Sequence, residues 1–532
     1  MRSNILIKNI LLIWPYGYDP IYVMPMALGY LASNVDRNMY NVKLLDCSLD
    51  KIKPDSPELK RIISEFSPDI VCTSAWSPMF YNAIDVLKTA KHINNDTVTI
   101  LGGAHLSSYP QSITNRREVD FGILGEGEYT FRSLLTEIKK KNPNFSKIGG
   151  LIYRDASDKQ TIKEISFSDD VDSIKIPDYD LMDLDRYIEN GYRWNTPEKR
   201  NAPVWITRGC PYRCTFCSAP ELNGKKIRKH SIEYIIHWIE HLYSEKNIKW
   251  INILDDNFTF HVEYAKEFCR KIIKIKSKGK LNGLGFGTPN GIRLQKGDKD
   301  LWKLMKGAGW KTLMVAPESG SPRVLELMKK DLDLTAVPRI IDDIKESGLR
   351  VQGFFILGYP GETPQDLEMT HDLIKSCNFD FVFLNNFQPL PGTPIYDHLV
   401  STGEIEDGLL PKDYSDGERV YTPIDMSDFN FNKFVLRVYL LMFLRRPANI
   451  FYMLTIFSPL LLARKLLLNI LSMFDIKKTI INDNHISDYN SSKQDSDILS
   501  KKHSVIPIEN SDILIRKQRD MGGWKKKKKT IK

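Results

Sequence analysis

Cysteine is scarce, with seven in 532 residues. The count is odd, and Cys47, Cys72, Cys269 and Cys377 lie far apart. That pattern excludes the disulfide framework of a small secreted domain and fits a reducing, cytoplasmic setting. Acidic residues are missing from 434–474, where five basic residues stand among apolar ones. A long spanning run is missing too. The stretch from Pro447 to Ala463 has seventeen residues without a charge, and Pro459 interrupts it; a membrane helix needs about 20. The opening "MRSNILIKNILLIWP" is apolar, but Asn and Lys break it and no small-residue cleavage site follows. It reads as a first strand and not as a signal peptide. No short solenoid-type repeat is visible.

The charge that is present sits at one end. The chain carries +9 overall, yet residues 475–532 alone contribute +6 and the body up to Lys433 sums to about −2. A nearly neutral body excludes a nucleic-acid-binding core and assigns the positive excess to a C-terminal appendage.

The first 150 residues alternate apolar runs ("NILLIWP", "NVKLLDC", "IVCTSA", "TVTILGG", "FGILGEGE") with amphipathic helical stretches. This alternation predicts an α/β, doubly wound parallel sheet. Ligands in such sheets sit beyond the carboxyl ends of the strands. That edge holds Ser74 and Trp76 in "SAWS", Gly102, Gly103 and His105 in "GGAH", and Gly125, Glu126 and Gly127 in "GEGE". Each string alone is an ordinary turn; three on one edge point to a large planar or nucleotide-like cofactor. Residues 151–200 show little periodicity and read as a linker with at most one hairpin. A second βα series over 201–405 ("VWITRG", "KWINIL", "GLGFG", "KTLMVAPE", "RVQGFFIL", "DFVFLNN") predicts a βα barrel, complete or partial. Residues 406–475 read as a helical, apolar and basic region, and 476–532 as a disordered polar tail.

"RGCPYRCTFCSAP" places Cys210, Cys214 and Cys217 in the loop after the first strand of the second series. Three thiolates at this spacing can converge on a soft metal centre. Core cysteines gathered by chance are one account, and a zinc site completed by His230 is another. A third is an iron–sulfur cluster with one iron left open for a substrate or cofactor.

CxxxCxxC with Phe216 before the last cysteine, at the end of a first barrel strand, resembles the radical SAM superfamily. The resemblance implies a [4Fe–4S] cluster on Cys210, Cys214 and Cys217, whose open iron binds S-adenosylmethionine. Reductive cleavage then yields a 5′-deoxyadenosyl radical able to attack unactivated carbon, chemistry that no side-chain acid or base can perform. It further implies S-adenosylmethionine contacts from Phe216, from Asp255 and Asp256 in "LDDNFTF", from Glu318 and Ser319 in "APESGS", and from Gly358 and Gly361 in "GYPGET".

A flavodoxin-like domain ahead of such a barrel resembles the cobalamin-dependent group, which includes C-methylases, the anaerobic magnesium-protoporphyrin ester cyclase and hopanoid-modifying enzymes. The DxHxxG motif that supplies a histidine to cobalt elsewhere is absent, so His105 is read as a pocket or turn residue and not as a ligand. The methylthiotransferases share the ESG and PGET strings but carry three further N-terminal cysteines, and this domain has only Cys47 and Cys72. The resulting expectation is a cobalamin-dependent radical SAM enzyme methylating an unactivated carbon of a small-molecule or lipid-like substrate. It would be served by an electron donor such as flavodoxin or ferredoxin. Oxidative cyclisation without methyl transfer is the alternative reaction, and a cobalamin- or metal-binding sensor the alternative class. The apolar, basic C-terminus predicts peripheral contact with the inner membrane face, against a helical cap on the barrel.

Overall fold

The structure, a computed structural model, describes residues 7–17, 23–193, 196, 198–408 and 419–447. The apolar stretch beyond Pro447 and the polar tail lie outside the described residues.

Five strands of the N-terminal domain are parallel: β1 (Asn9–Trp14), β2 (Asn41–Asp46), β3 (Ile70–Ser74), β4 (Val98–Gly102) and β5 (Phe121–Ile123). Their order is β2-β1-β3-β4-β5, the doubly wound arrangement read from the sequence. β3 is buried along its whole length, because helices cover both faces of the sheet and "IVCTS" meets no water on either. The sheet does not stop at residue 150. β6 (Leu151–Arg154) and β7 (Gln160–Ile162) form an antiparallel hairpin that extends it to seven strands. The start of the predicted linker is therefore part of the N-terminal sheet.

The second domain contributes six parallel strands: β8 (Asn201–Val204), β11 (Trp250–Ile253), β12 (Gly285–Gly287), β13 (Thr312–Glu318), β14 (Arg350–Leu357) and β15 (Phe381–Asn386). Between β8 and β11, a short ribbon of β9 (Thr207–Arg208) and β10 (Arg228–Lys229) brackets the cysteine loop. The six strands form two three-stranded sheets, joined by the isolated bridges Phe286–Trp310 and Ile292–Val315. No closed barrel forms among the described residues; the wall is partial.

One hydrophobic core joins Met24, Met26 and Tyr30 of the N-terminal domain to Trp238, Ile251 and Phe286 of the second. This shared core fixes the two strand-end edges relative to one another. Helix Phe431–Arg445 packs onto it through Phe431, Phe434, Val438 and Met442. Two arginines expected at a membrane edge are engaged by the protein itself: Arg437 with Glu368, and Arg446 with Asp380. No described helix is long and apolar enough to cross a membrane.

Candidate functional site

The carboxyl ends of β3, β4 and β5 form one wall of an open cavity. Ser74, Gly102, Gly103, Gly125, Glu126 and Gly127 all line it, so six of the eight residues singled out on that edge come together. Trp76 and His105 do not. Trp76 packs edge-on against Trp14, and His105 is buried behind the wall with Nδ1 3.0 Å from the Ser77 hydroxyl and its ring on Phe80. Burial lowers the His105 pKa to about 4, so the ring is neutral at physiological pH.

The glycines differ in what they do. A Cβ on Gly102 would meet nothing nearer than 3.6 Å, so a side chain there would grow into open cavity. Gly103 has φ +100°, and its Cβ would lie 2.5 Å from the Ala75 amide nitrogen. Gly103 is required by the chain's own crossing of β3 and not by a ligand.

The opposite wall comes from the second domain: Trp205, Thr207, Arg208 and Asn223 line the same cavity. Arg208 stands two residues before Cys210 and is almost fully buried. It pairs with Glu128 at 2.9 Å and lies over the Tyr30 ring at 4.8 Å. Glu126 is held by Arg228. Sequence reading missed Arg208, Glu128, Tyr30 and Asn223. Arg208 and Glu128 sit inside the quoted strings "RGCP" and "GEGE", so adjacency to a motif was their only signal. Nothing local marks Tyr30 or Asn223.

The cysteine loop is tied down on several sides. Gly209, with φ +100°, passes so close to the Lys226 carbonyl that a Cβ would sit 2.4 Å from it. The Cys210 amide donates to Gly224, and the Thr215 amide donates to Met328. The Thr215 hydroxyl lies 2.6 Å from the Tyr359 hydroxyl. All three cysteines are free thiols. Burial pushes Cys217 up to about 12 and raises Cys210, with the Asp256 carboxylate adding to both. Such thiolates call for a positive partner, which iron supplies. Among the described residues, no three His, Cys, Asp or Glu side chains are arranged for a single metal ion; His230 turns its Nδ1 to Asp172 at 2.9 Å. The zinc arrangement with His230 is not formed; a cluster instead spreads its thiolates over several irons.

The two aspartates of "LDDNFTF" part company. Asp255 turns into the protein, accepting from the Ile206 and Thr207 amides at 2.7 and 2.8 Å and from the Thr207 hydroxyl at 2.7 Å. Burial raises its pKa to about 7. Its carboxylate thereby holds the approach to the cysteine loop. Asp256 accepts from Asn223 at 2.8 Å and faces the thiols. Glu318 adopts φ +68°, rare for a non-glycine, and pairs with Lys330 at 2.9 Å. Ser319 is fully buried, and its hydroxyl accepts from the Ser321 amide at 3.1 Å. Gly358 and Gly361 both have positive φ, and the Gly358 amide donates to the Glu362 carboxyl at 2.6 Å. Burial raises Glu362 to about 8. Phe216 packs against the cluster of Val324, Leu325, Met328 and Tyr359 below the loop.

A doubly wound domain whose cavity is closed by residues flanking the three-cysteine loop of a partial βα barrel defines a class: a B12-binding module fused to a radical-generating barrel. The comparisons agree. The B12 binding domain family matches residues 21–135, and the Radical SAM superfamily matches residues 204–374. An uncharacterized methyltransferase of Pyrococcus horikoshii is 32% identical over 403 residues, covering 75% of this chain and 82% of that one. The cytidylyl-2-hydroxyethylphosphonate methyltransferase of Streptomyces wedmorensis is 27% identical, with the same coverage. The anaerobic magnesium-protoporphyrin IX monomethyl ester cyclase of Rubrivivax gelatinosus is 26% identical, covering 72% and 67%. In fold, the chain is similar to the methyltransferase TsrM of Kitasatospora setae, solved with cobalamin and an iron–sulfur cluster bound. That match has a TM-score of 0.63 and 18% identity over 79% of this chain and 83% of that one. The chain belongs to the cobalamin-dependent radical SAM family.

Proposed function

We propose that this enzyme transfers a methyl group to an unactivated carbon of a small-molecule or lipid-like substrate. One observation carries the reading: a single cavity is walled on one side by the glycine-lined strand ends of the B12-binding domain and on the other by residues adjoining Cys210. When bound, the cluster would supply the electron for cleavage of S-adenosylmethionine and cobalamin would carry the methyl group. The protein's own share is placement. Cys210, Cys214 and Cys217 hold the cluster; Asp256, Glu318, Ser319, Gly358 and Gly361 line the strand ends where S-adenosylmethionine binds, with Phe216 packed beneath. Gly102 leaves room for a corrin, and no histidine is among the described residues that line the cavity.

Methyl transfer accords with the names of the relatives, while the cyclase among them keeps oxidative cyclisation as the competing reaction. An external reductant such as flavodoxin or ferredoxin delivers the electron. The enzyme works in the cytoplasm and touches the inner membrane face through exposed Ile424, Leu440 and Leu444 and the basic segment that follows. Reduced, reconstituted enzyme with methyl-labelled S-adenosylmethionine and lipid extract tests this. Label in an extractable product is expected. Formation of 5′-deoxyadenosine with no methylated product, despite bound cobalamin, would move the assignment to cyclisation.

A further inference from the structure

We propose that Arg208 and Glu128 form a subsite that reads a primary carboxamide on the rim of the corrin; the inference rests on cobalamin being the cavity's occupant.

Both side chains are almost fully buried, at 7% exposure each, and both line the cavity. Arg208 Nη1 is 2.9 Å from Glu128 Oε1 and 3.6 Å from Glu126 Oε2. Glu126 is otherwise engaged by Arg228, so two arginines and two glutamates close a neutral network across the domain boundary. Within the Arg208–Glu128 pair, three polar atoms are left buried without a partner: Arg208 Nε, Arg208 Nη2 and Glu128 Oε2. Unsatisfied buried groups are uncommon, and each raises the energy of a structure that holds nothing to meet them.

The pair's unmet set is two donors beside one acceptor, and the Tyr30 hydroxyl, which can donate or accept, is a further unmet group on the same wall. A carboxylate or phosphate would satisfy the guanidinium but face the free glutamate oxygen. A cation would satisfy the glutamate but face the guanidinium. A primary carboxamide satisfies both, its carbonyl accepting from Arg208 and its NH2 donating to Glu128. Cobalamin is edged with acetamide and propionamide groups, and the corrin plane itself offers no such pair. Arg208 is two residues from Cys210, so an amide seated here fixes the corrin's rotation about its own axis relative to the cluster loop. Arg208 and Glu128 act as positioning residues.

The full chain, titrated with hydroxocobalamin and with each singly hydrolysed monoacid, tests this by the absorbance change on binding. Each monoacid carries one rim amide converted to a carboxylate. Wild-type protein should bind one monoacid about tenfold more weakly than hydroxocobalamin, the scale of a like-charge contact in a dry site, and the others within about threefold. Glu128→Gln should restore that one monoacid, because the glutamine NH2 donates where the carboxylate repelled. Equal binding of every monoacid by wild type would overturn the subsite, as would discrimination unchanged in Glu128→Gln. No uptake of hydroxocobalamin by wild type would overturn the occupant itself, a separate result.

Discussion

The two strand-end edges that face each other are built from different materials. On the N-terminal sheet the wall is Gly102 with small Ser74 and Thr73 beside it, set among the apolar side chains of Leu31, Ile100 and Ile123. On the partial barrel the corresponding edge is polar side chain: three half-buried thiols with half-buried Asp256, and buried Asp255, Glu318, Ser319 and Glu362, the carboxylates each held by named partners. The contrast follows from what each edge must hold. A large rigid cofactor is gripped by shape, and small or apolar side chains set that shape. A small charged cofactor and a cluster are gripped by directed polar groups, which must be present and fixed.

The comparison breaks if removing a side chain on one edge disables the other. Cys210→Ala, Cys214→Ala and Cys217→Ala should each abolish the iron–sulfur cluster and 5′-deoxyadenosine formation, the largest effect expected. Hydroxocobalamin binding should persist in all three. Cys269→Ala and Cys377→Ala should keep their iron, because both thiols are buried core residues. Iron and sulfide analysis of anaerobically reconstituted protein, with a cobalamin titration alongside, checks both halves.

Adding side chains should do the reverse. Gly102→Leu grows into the cavity and should eliminate cobalamin binding while the full cluster remains. Gly103→Leu should instead cost on the order of 2–4 kcal/mol of stability, since φ is +100° and the Cβ would strike the Ala75 backbone. Urea unfolding distinguishes the two. A Gly102→Leu protein that still takes up cobalamin would falsify the cavity as its site.

That difference in material also decided what could be read from the sequence. Thiols at x3 and x2 spacing are a rare pattern, and all six barrel strands were visible as apolar runs, so the cluster loop and its position were legible. Glycines at strand ends showed the cofactor edge, but not that Gly103 serves the chain's own crossing while Gly102 faces open space. Tandem aspartates could not be told apart, because only the fold shows Asp255 turned towards the Ile206 and Thr207 amides. Tyr30 and Asn223 reach the site from far along the chain, and no local pattern encodes such a meeting. The hairpin β6–β7 was misplaced for a related reason: strand pairing with β5 is a non-local event, and two short strands carry little periodicity of their own.

A subtler change sharpens the comparison on the barrel side. Asp255→Asn replaces an acceptor of three hydrogen bonds by a group whose NH2 must face a donor. It should destabilise the protein by on the order of 2–3 kcal/mol. Because Asp255 holds Thr207, the loss should reach the cysteine loop as slower cluster assembly, with cobalamin affinity little changed. Iron incorporation rate and thermal melting report the two effects separately. Unchanged assembly would mean that the loop is held by its Gly224 and Met328 contacts alone.

The smallest effect concerns His105, the one histidine near the glycine edge. It does not line the cavity, so His105→Ala should leave the spectrum of bound cobalamin unaltered. Its contribution lies in stability against acid. Burial lowers the folded-state pKa to about 4, below the ordinary value of 6.5, so the folded protein prefers the neutral ring. Between those values the unfolded chain binds a proton that the folded chain refuses. Stability is therefore full above about pH 6.5 and falls as pH drops towards 4, by up to about 3 kcal/mol from this group. His105→Ala loses the contact with Phe80 at every pH, which lowers the whole curve, but it removes this part of the slope. Unfolding free energies of wild type and variant between pH 4.5 and 7.5 should converge at the acid end. A cobalamin spectrum that shifts on substitution would place His105 within reach of cobalt and contradict the burial seen here; parallel stability curves would mean that the ring takes up its proton without leaving its pocket.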